Sequence, residues 1–135
     1  MMHELVMRIQ EPELCYVFAR NARHRGHPEL ALQAHRRAVD LRAERAGASS
    51  EVEFAALRAI FAYEEALSYT KGKRTRATGT WQMVNRSGLI PAIARRLASG
   101  VDTSVDQTLK ELGMEDYSFA AVQEGYPEFF GRMAA

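Results

Sequence analysis

The chain has 135 residues, 47% of them apolar and 26% charged, with a net charge of +1, a composition that excludes wholesale disorder and fits one globular domain. A lone cysteine, Cys15, excludes an internal disulfide, so no oxidising compartment is required. No apolar run approaches the roughly eighteen residues of a membrane span, and Met1–Gln10 carries His3, Glu4 and Arg8 rather than a signal-peptide core, so a cytoplasmic protein is expected.

The predicted elements are helical throughout. Pro12 suits a first helical turn and predicts a helix to about Arg25, stopped at Gly26. Pro28 opens a second, reaching about Ala46 before Gly47. Ser50 and Glu53 stand at capping-box spacing and begin a third helix lasting to about Tyr69, with Phe54, Leu57, Ile60, Phe61 and Leu67 as its apolar stripe and Arg58 and Glu65 on other faces. Between Thr70 and Thr80 only Ala77 is apolar and two residues are glycine, so an exposed loop or flexible arm is expected. Thr80 can cap a short helix over 81–86, ended near Gly88, and Pro91 begins another over 92–98, closed by Gly100. Asp102, Thr103 and Ser104 offer caps for a helix to about Leu112, and Asp116 for one to Glu124. Gly125 and Pro127 then bracket a terminal turn carrying Phe129 and Phe130, which either dock on the core or mediate a homodimer.

No segment alternates over strand length, and β-branched residues are sparse. The expected fold is all-α: a compact single-domain bundle of about seven helices with a basic loop between the third and fourth. Its parts are an N-terminal hairpin (12–46), a central helix (50–69), a basic arm (70–79) and short helices (80–133).

The near-neutral total conceals a charge asymmetry. From Ala66 to Val101 there is no Asp or Glu, while Lys71, Lys73, Arg74, Arg76, Arg86, Arg95 and Arg96 give the window +7. Beyond it, Asp102, Asp106, Glu111, Glu115, Asp116, Glu124 and Glu128 face only Lys110 and Arg132. A concentrated block of one sign, rich in Arg, is the usual footprint of a surface that meets phosphates. The same charges admit a second reading, a basic centre that packs against the acidic tail of its own chain.

Within the window, Lys71, Lys73, Arg74 and Arg76 alternate with Gly and Thr, as in an arm lying along a nucleic-acid backbone or in a minor groove. Thr75, Thr78, Thr80 and Ser87 can add neutral hydrogen bonds to phosphate oxygens. Trp81 either stacks on an unpaired base or anchors the loop's exit in the core. Residues 81–97 have the length of a helix-turn-helix, with Gly88 in the turn, Leu89 after it, and Met83, Ile93 and Leu97 for the interior. Ser87 and Val84 depart from that motif, and a plain helical corner is the alternative. Asn85 and Gln82 can pair with adenine edges or serve as helix-surface residues. Arg95 and Arg96, at the far end of the second helix, suit phosphates better than bases.

Phe18-Ala19, Ala22, Gly26 and the run from Pro28 to Leu41 resemble one tetratricopeptide-type hairpin over residues 15–41, with small residues at Ala19, Ala31 and Ala38 where two helices approach. Cys15, Ala22 and His35 stand where that family has large aromatics, and Ala43 replaces its closing proline. Only one unit is visible, so no solenoid is expected. The resemblance implies a groove for a partner peptide. Arg20, Arg23, Arg25, Arg36 and Arg37 surround the hairpin's turn; beside the arm they would enlarge the positive face.

Catalytic signals are absent. His24 and His27 straddle Gly26 and His35 stands apart, without Cys or paired acids at ligand spacing, so no metal is expected. The adjacent Glu64 and Glu65 point to different sides of a helix, and a buried partner such as an Arg is expected for Glu64. Lys71-Gly72-Lys73 lacks the rest of a phosphate-binding loop. Cys15, among Leu14, Tyr16, Val17 and Phe18, reads as a buried thiol rather than a nucleophile. No catalytic residue and no cofactor is assigned. The expected function is nucleic-acid binding, DNA ahead of RNA, through Lys71, Lys73, Arg74, Arg76, Trp81, Arg86, Arg95 and Arg96. The alternatives are a regulatory adaptor whose basic face binds an acidic partner and an accessory subunit of a nucleoprotein complex.

Overall fold

In the computed structural model, residues 2–100 and 102–134 are described, with side chains as far as Gly131. The helices are α1 (Glu4–Met7), α2 (Pro12–His24), α3 (Pro28–Arg45), α4 (Glu51–Lys71), α5 (Thr78–Ser87), α6 (Leu89–Ala98), α7 (Thr103–Glu111), α8 (Phe119–Gly125) and α9 (Pro127–Ala134), with a 3-10 turn at Glu115–Tyr117. Among the described residues there is no strand, so the all-α bundle stands. None of these helices is long and apolar enough to cross a membrane.

Local chemistry sets most boundaries. Pro12 and Pro28 sit in the first turns of α2 and α3, where a missing N–H costs nothing. Ser50 caps α4 by accepting the Glu53 N–H at 3.2 Å, while the Glu53 carboxylate reaches back to the Ser49 N–H at 3.0 Å, a capping box displaced by one residue. Gly72, at φ 72°, ends α4 in the left-handed region that disfavours other residues.

α1 was not expected and α9 is a helix where a terminal turn was expected; three further boundaries also differ from expectation. The helix expected over 81–86 begins at Thr78, with Ala77 at the N-cap position, so Thr80 lies buried in the first turn instead of capping it. α6 starts at Leu89, because Pro91, which has no N–H, falls within the first turn, where none is needed. Asp116 does not cap α8; Ser118 does, accepting the Ala121 N–H at 3.1 Å, and Asp116 instead pairs with Arg36 of α3 at 2.7 Å. That bond holds the Asp116 carboxyl below its ordinary value.

α4 is the central element, with α3, α6, α7 and α8 packed around it. Its buried face is built on Ala55, Ala56, Ala59, Ala62 and Ala66, together with Leu57 and Ile60. Phe54, Phe61 and Leu67 of the expected stripe are only half-buried. The alanines let neighbouring helices approach α4 on several sides, which a single stripe does not capture.

The α2–α3 hairpin closes over Ala19, Ala22, Ala31, Ala34, Ala38 and Leu41, small residues that let the two helices approach closely. Phe130 is fully buried in the cluster between α4, α6 and α8, while Phe129 is exposed. Cys15 is fully buried in the hairpin, and desolvation pushes its thiol up to about 11. The native protein should therefore resist thiol reagents at pH 8 and react fully in denaturant. Rapid labelling without denaturant would contradict this burial.

Candidate phosphate-binding face

The segment between α4 and α5, residues 72–77, is a strap tied to α4. The Ser68 hydroxyl accepts the Thr75 N–H at 2.9 Å and lies 3.3 Å from the Thr75 carbonyl, to which it donates. One oxygen of Glu64 accepts the Ala77 N–H at 2.8 Å and the Trp81 indole N–H at 2.7 Å, with the Arg76 Nε at 3.9 Å. One oxygen of Glu65 accepts both terminal nitrogens of Arg74, at 3.1 and 3.0 Å. The strap's backbone is therefore anchored at Thr75 and Ala77, and the freely flexible arm expected from composition is corrected to a tethered one. Composition reports only what the strap can bury, whereas its own N–H groups find acceptors on α4.

The two glutamates also change places. Glu65, expected away from the apolar stripe, is buried, and its second oxygen accepts His35 Nδ1 at 2.6 Å. His35 Nε2 lies 2.6 Å from a terminal nitrogen of Arg23. Arginine has no acceptor, so Nε2 accepts and the imidazole proton sits on Nδ1, donated to Glu65. The chain Arg23–His35–Glu65–Arg74 thus links α2, α3, α4 and the strap through one buried carboxylate.

Aromatic rings reinforce that link. The Arg74 guanidinium lies 4.0 Å from the Tyr16 ring centre and that of Arg23 lies 5.0 Å from Tyr69. Arg42 donates to the Tyr16 hydroxyl at 2.9 Å, and burial pushes that phenol up to about 12. A cleft of about 180 Å³ opens among Tyr16, Arg42, Glu65, Arg74 and Arg76. These contacts place Arg23 of the hairpin beside the basic strap. His35 was missed as a site residue, although its place among Ala31, Ala34 and Ala38 on one helical face marked a buried polar group that needed a partner.

The residues expected to meet nucleic acid separate into four groups. Lys71 and Lys73 are exposed and have no ion-pair partner among the described residues. Arg74 and Arg76 are exposed but held by Glu65 and, more loosely, Glu64. Arg86 and Arg95, also exposed, lie on the last turns of α5 and α6; Arg86 is about 12 Å along the helix axis from Thr78.

Trp81 and Arg96 are engaged internally. The Trp81 ring lies 5.2 Å from Phe61 with its N–H on Glu64, which is the core-anchor reading. Arg96 donates to the Tyr63 hydroxyl at 2.7 Å and lies over that ring.

The α5–α6 corner turns on Gly88 alone, at φ 98°, whereas a helix-turn-helix uses three or four residues. The first turn of α6, where base-reading side chains would lie, is Leu89-Ile90-Pro91, half-buried against the core. Gln82 and Asn85 are exposed on α5, the first helix of the pair.

Among the described residues no ion pair joins an acid of the 102–131 segment to the basic window; the carboxylates that reach it are Glu64 and Glu65. No group of three or more His, Cys, Asp and Glu is arranged to hold a metal among them. Comparison with protein-family models, curated proteins and solved structures finds no match to this chain.

Proposed function

We propose that this protein binds nucleic acid in the cytoplasm through backbone phosphates, with duplex DNA favoured over RNA and the strap as the principal contact. The observation that carries the reading is the tethered strap itself. Its backbone is fixed by Ser68 and Glu64, yet Lys71, the last residue of α4, and Lys73 flank its start with no carboxylate partner among the described residues. A preordered backbone carrying free cations loses little conformational entropy on meeting a phosphate. Arg74 and Arg76 add charge at the cleft, and Arg86 and Arg95 are available to a longer ligand. With no base-reading helix available, binding depends on phosphate rather than sequence.

Fluorescence anisotropy with labelled duplex DNA, single-stranded DNA and RNA tests this. Lys71 and the three strap cations Lys73, Arg74 and Arg76 on phosphates give a slope of log affinity against log salt of roughly −3 to −4. No binding to any of the three at about 50 mM salt, where phosphate contacts are strong, would sink the proposal. A second reading, an adaptor for an acidic protein, draws on the same free lysines; polyglutamate binding without nucleic-acid binding would select it.

A further inference from the structure

α2 has a second face that the bundle leaves uncovered. Of the large apolar side chains most exposed in the described structure, Leu14 at 56% and Val17 at 43% lie on α2, while Leu5 at 50% and Met7 at 49% lie on the neighbouring α1. At 100° per residue, Leu14, Val17, Phe18 and Asn21 form one ridge along α2. Beside it runs an apolar groove of about 360 Å³ lined by Leu5, Phe18, Ala22 and Leu30.

Charge is distributed along the same helix. Glu13 stands beside the ridge toward its N-terminal end and Arg20 on the same side two turns later. Both are exposed; Arg20 has no ion-pair partner among the described residues, and Glu13 has only Arg42 at a long 3.8 Å.

We propose that this face pairs with a second copy of the chain, as an antiparallel α2–α2 contact about a twofold axis near Val17 and Phe18. An antiparallel twofold keeps each flank of the helix on the same side of the interface and reverses its direction. Glu13 of one copy then comes within about 3 Å, along the helix axis, of Arg20 of the other, close enough for the two long side chains to pair, twice by symmetry. A parallel twofold would carry the charged flanks to opposite sides of the interface, so that Glu13 and Arg20 would not meet. In the same register Leu14 of each copy lies opposite Asn21 of the other, so the most exposed apolar side chain on α2 faces the mouth of the apolar groove. The contact is isologous, and its modest size suits a dissociation constant of about 1–100 µM.

Tyr16 and Arg23 lie about 180–200° around α2 from Leu14, on the strap side, so the dimer leaves the basic face open. The inference is independent of nucleic-acid binding.

Sedimentation velocity from about 1 to 500 µM, spanning that range, tests it. The wild type should pass from monomer to dimer, and Leu14→Asp should stay monomeric with an unchanged circular dichroism spectrum. Glu13→Arg and Arg20→Glu should each weaken the dimer about tenfold, since each places two repulsive pairs in the contact. The double variant should recover wild-type affinity within about threefold, because the exchanged charges still match. A monomer at every concentration, a dimer indifferent to Leu14→Asp, or a double variant without rescue would each overturn the proposal.

Discussion

Replacing Lys71 and Lys73 together with alanine should weaken duplex DNA binding about tenfold or more at about 100 mM salt, and make the salt slope shallower by about 2. The expectation follows from their freedom. Neither lysine has an ion-pair partner among the described residues, and both are exposed, so their removal subtracts phosphate contacts without disturbing the strap. The melting temperature should stay within about 2 °C of wild type, as for a surface substitution worth under 0.5 kcal/mol. Lys110→Ala, an exposed lysine on α7 outside the window, is the matched control and should leave binding unchanged. Equal affinity for the double variant and wild type would remove the strap from the site. Arg74→Ala is a poorer probe, since it also deprives the buried Glu65 of one of its two partners.

Glu65→Ala should be the most destabilising single change in the chain's polar interior, costing about 2–4 kcal/mol in urea unfolding. The carboxylate is nearly inaccessible and accepts from His35 on one oxygen and Arg74 on the other. Its loss strands the buried imidazole N–H and frees Arg74 from its anchor, so α3 and the strap lose the acceptor they share on α4. Glu64→Gln, which keeps an oxygen for Ala77 and Trp81, should cost only about 1 kcal/mol. The changes His35→Ala and Glu65→Ala should be strongly non-additive, because each already removes the same hydrogen bond. Additive losses, or a Glu65→Ala cost below about 1 kcal/mol, would show that this carboxylate does not organise the interior.

How much of this was legible in advance varies with the kind of information involved. Helix limits set by Pro12, Pro28, Ser50 and the glycines after α2 and α3 were readable because capping and left-handed turns are local events, whereas α4 runs two residues past the expected Tyr69 before Gly72 ends it. The start of α5 was misplaced for a nonlocal reason: the Ala77 N–H is satisfied by Glu64, thirteen residues upstream. The role of His35 was obscured similarly, since Glu65 lies thirty residues away. The basic window was visible as composition, but composition does not distinguish Lys71, which is free, from Arg96, which is bound to Tyr63.

The sequence by itself determined the helical class, most helix limits and the concentration of seven cations without an acid among them, because each depends on neighbours within a turn or two. Only the tertiary structure decided that Glu64 and Glu65, rather than the acidic tail, reach those cations, that Trp81 and Arg96 turn inward, and that the hairpin's Arg23 is linked to the strap through His35 and Glu65. The physical reason is that a buried carboxylate takes as partners whatever donors the packing brings within about 3 Å, and sequence separation does not limit that choice.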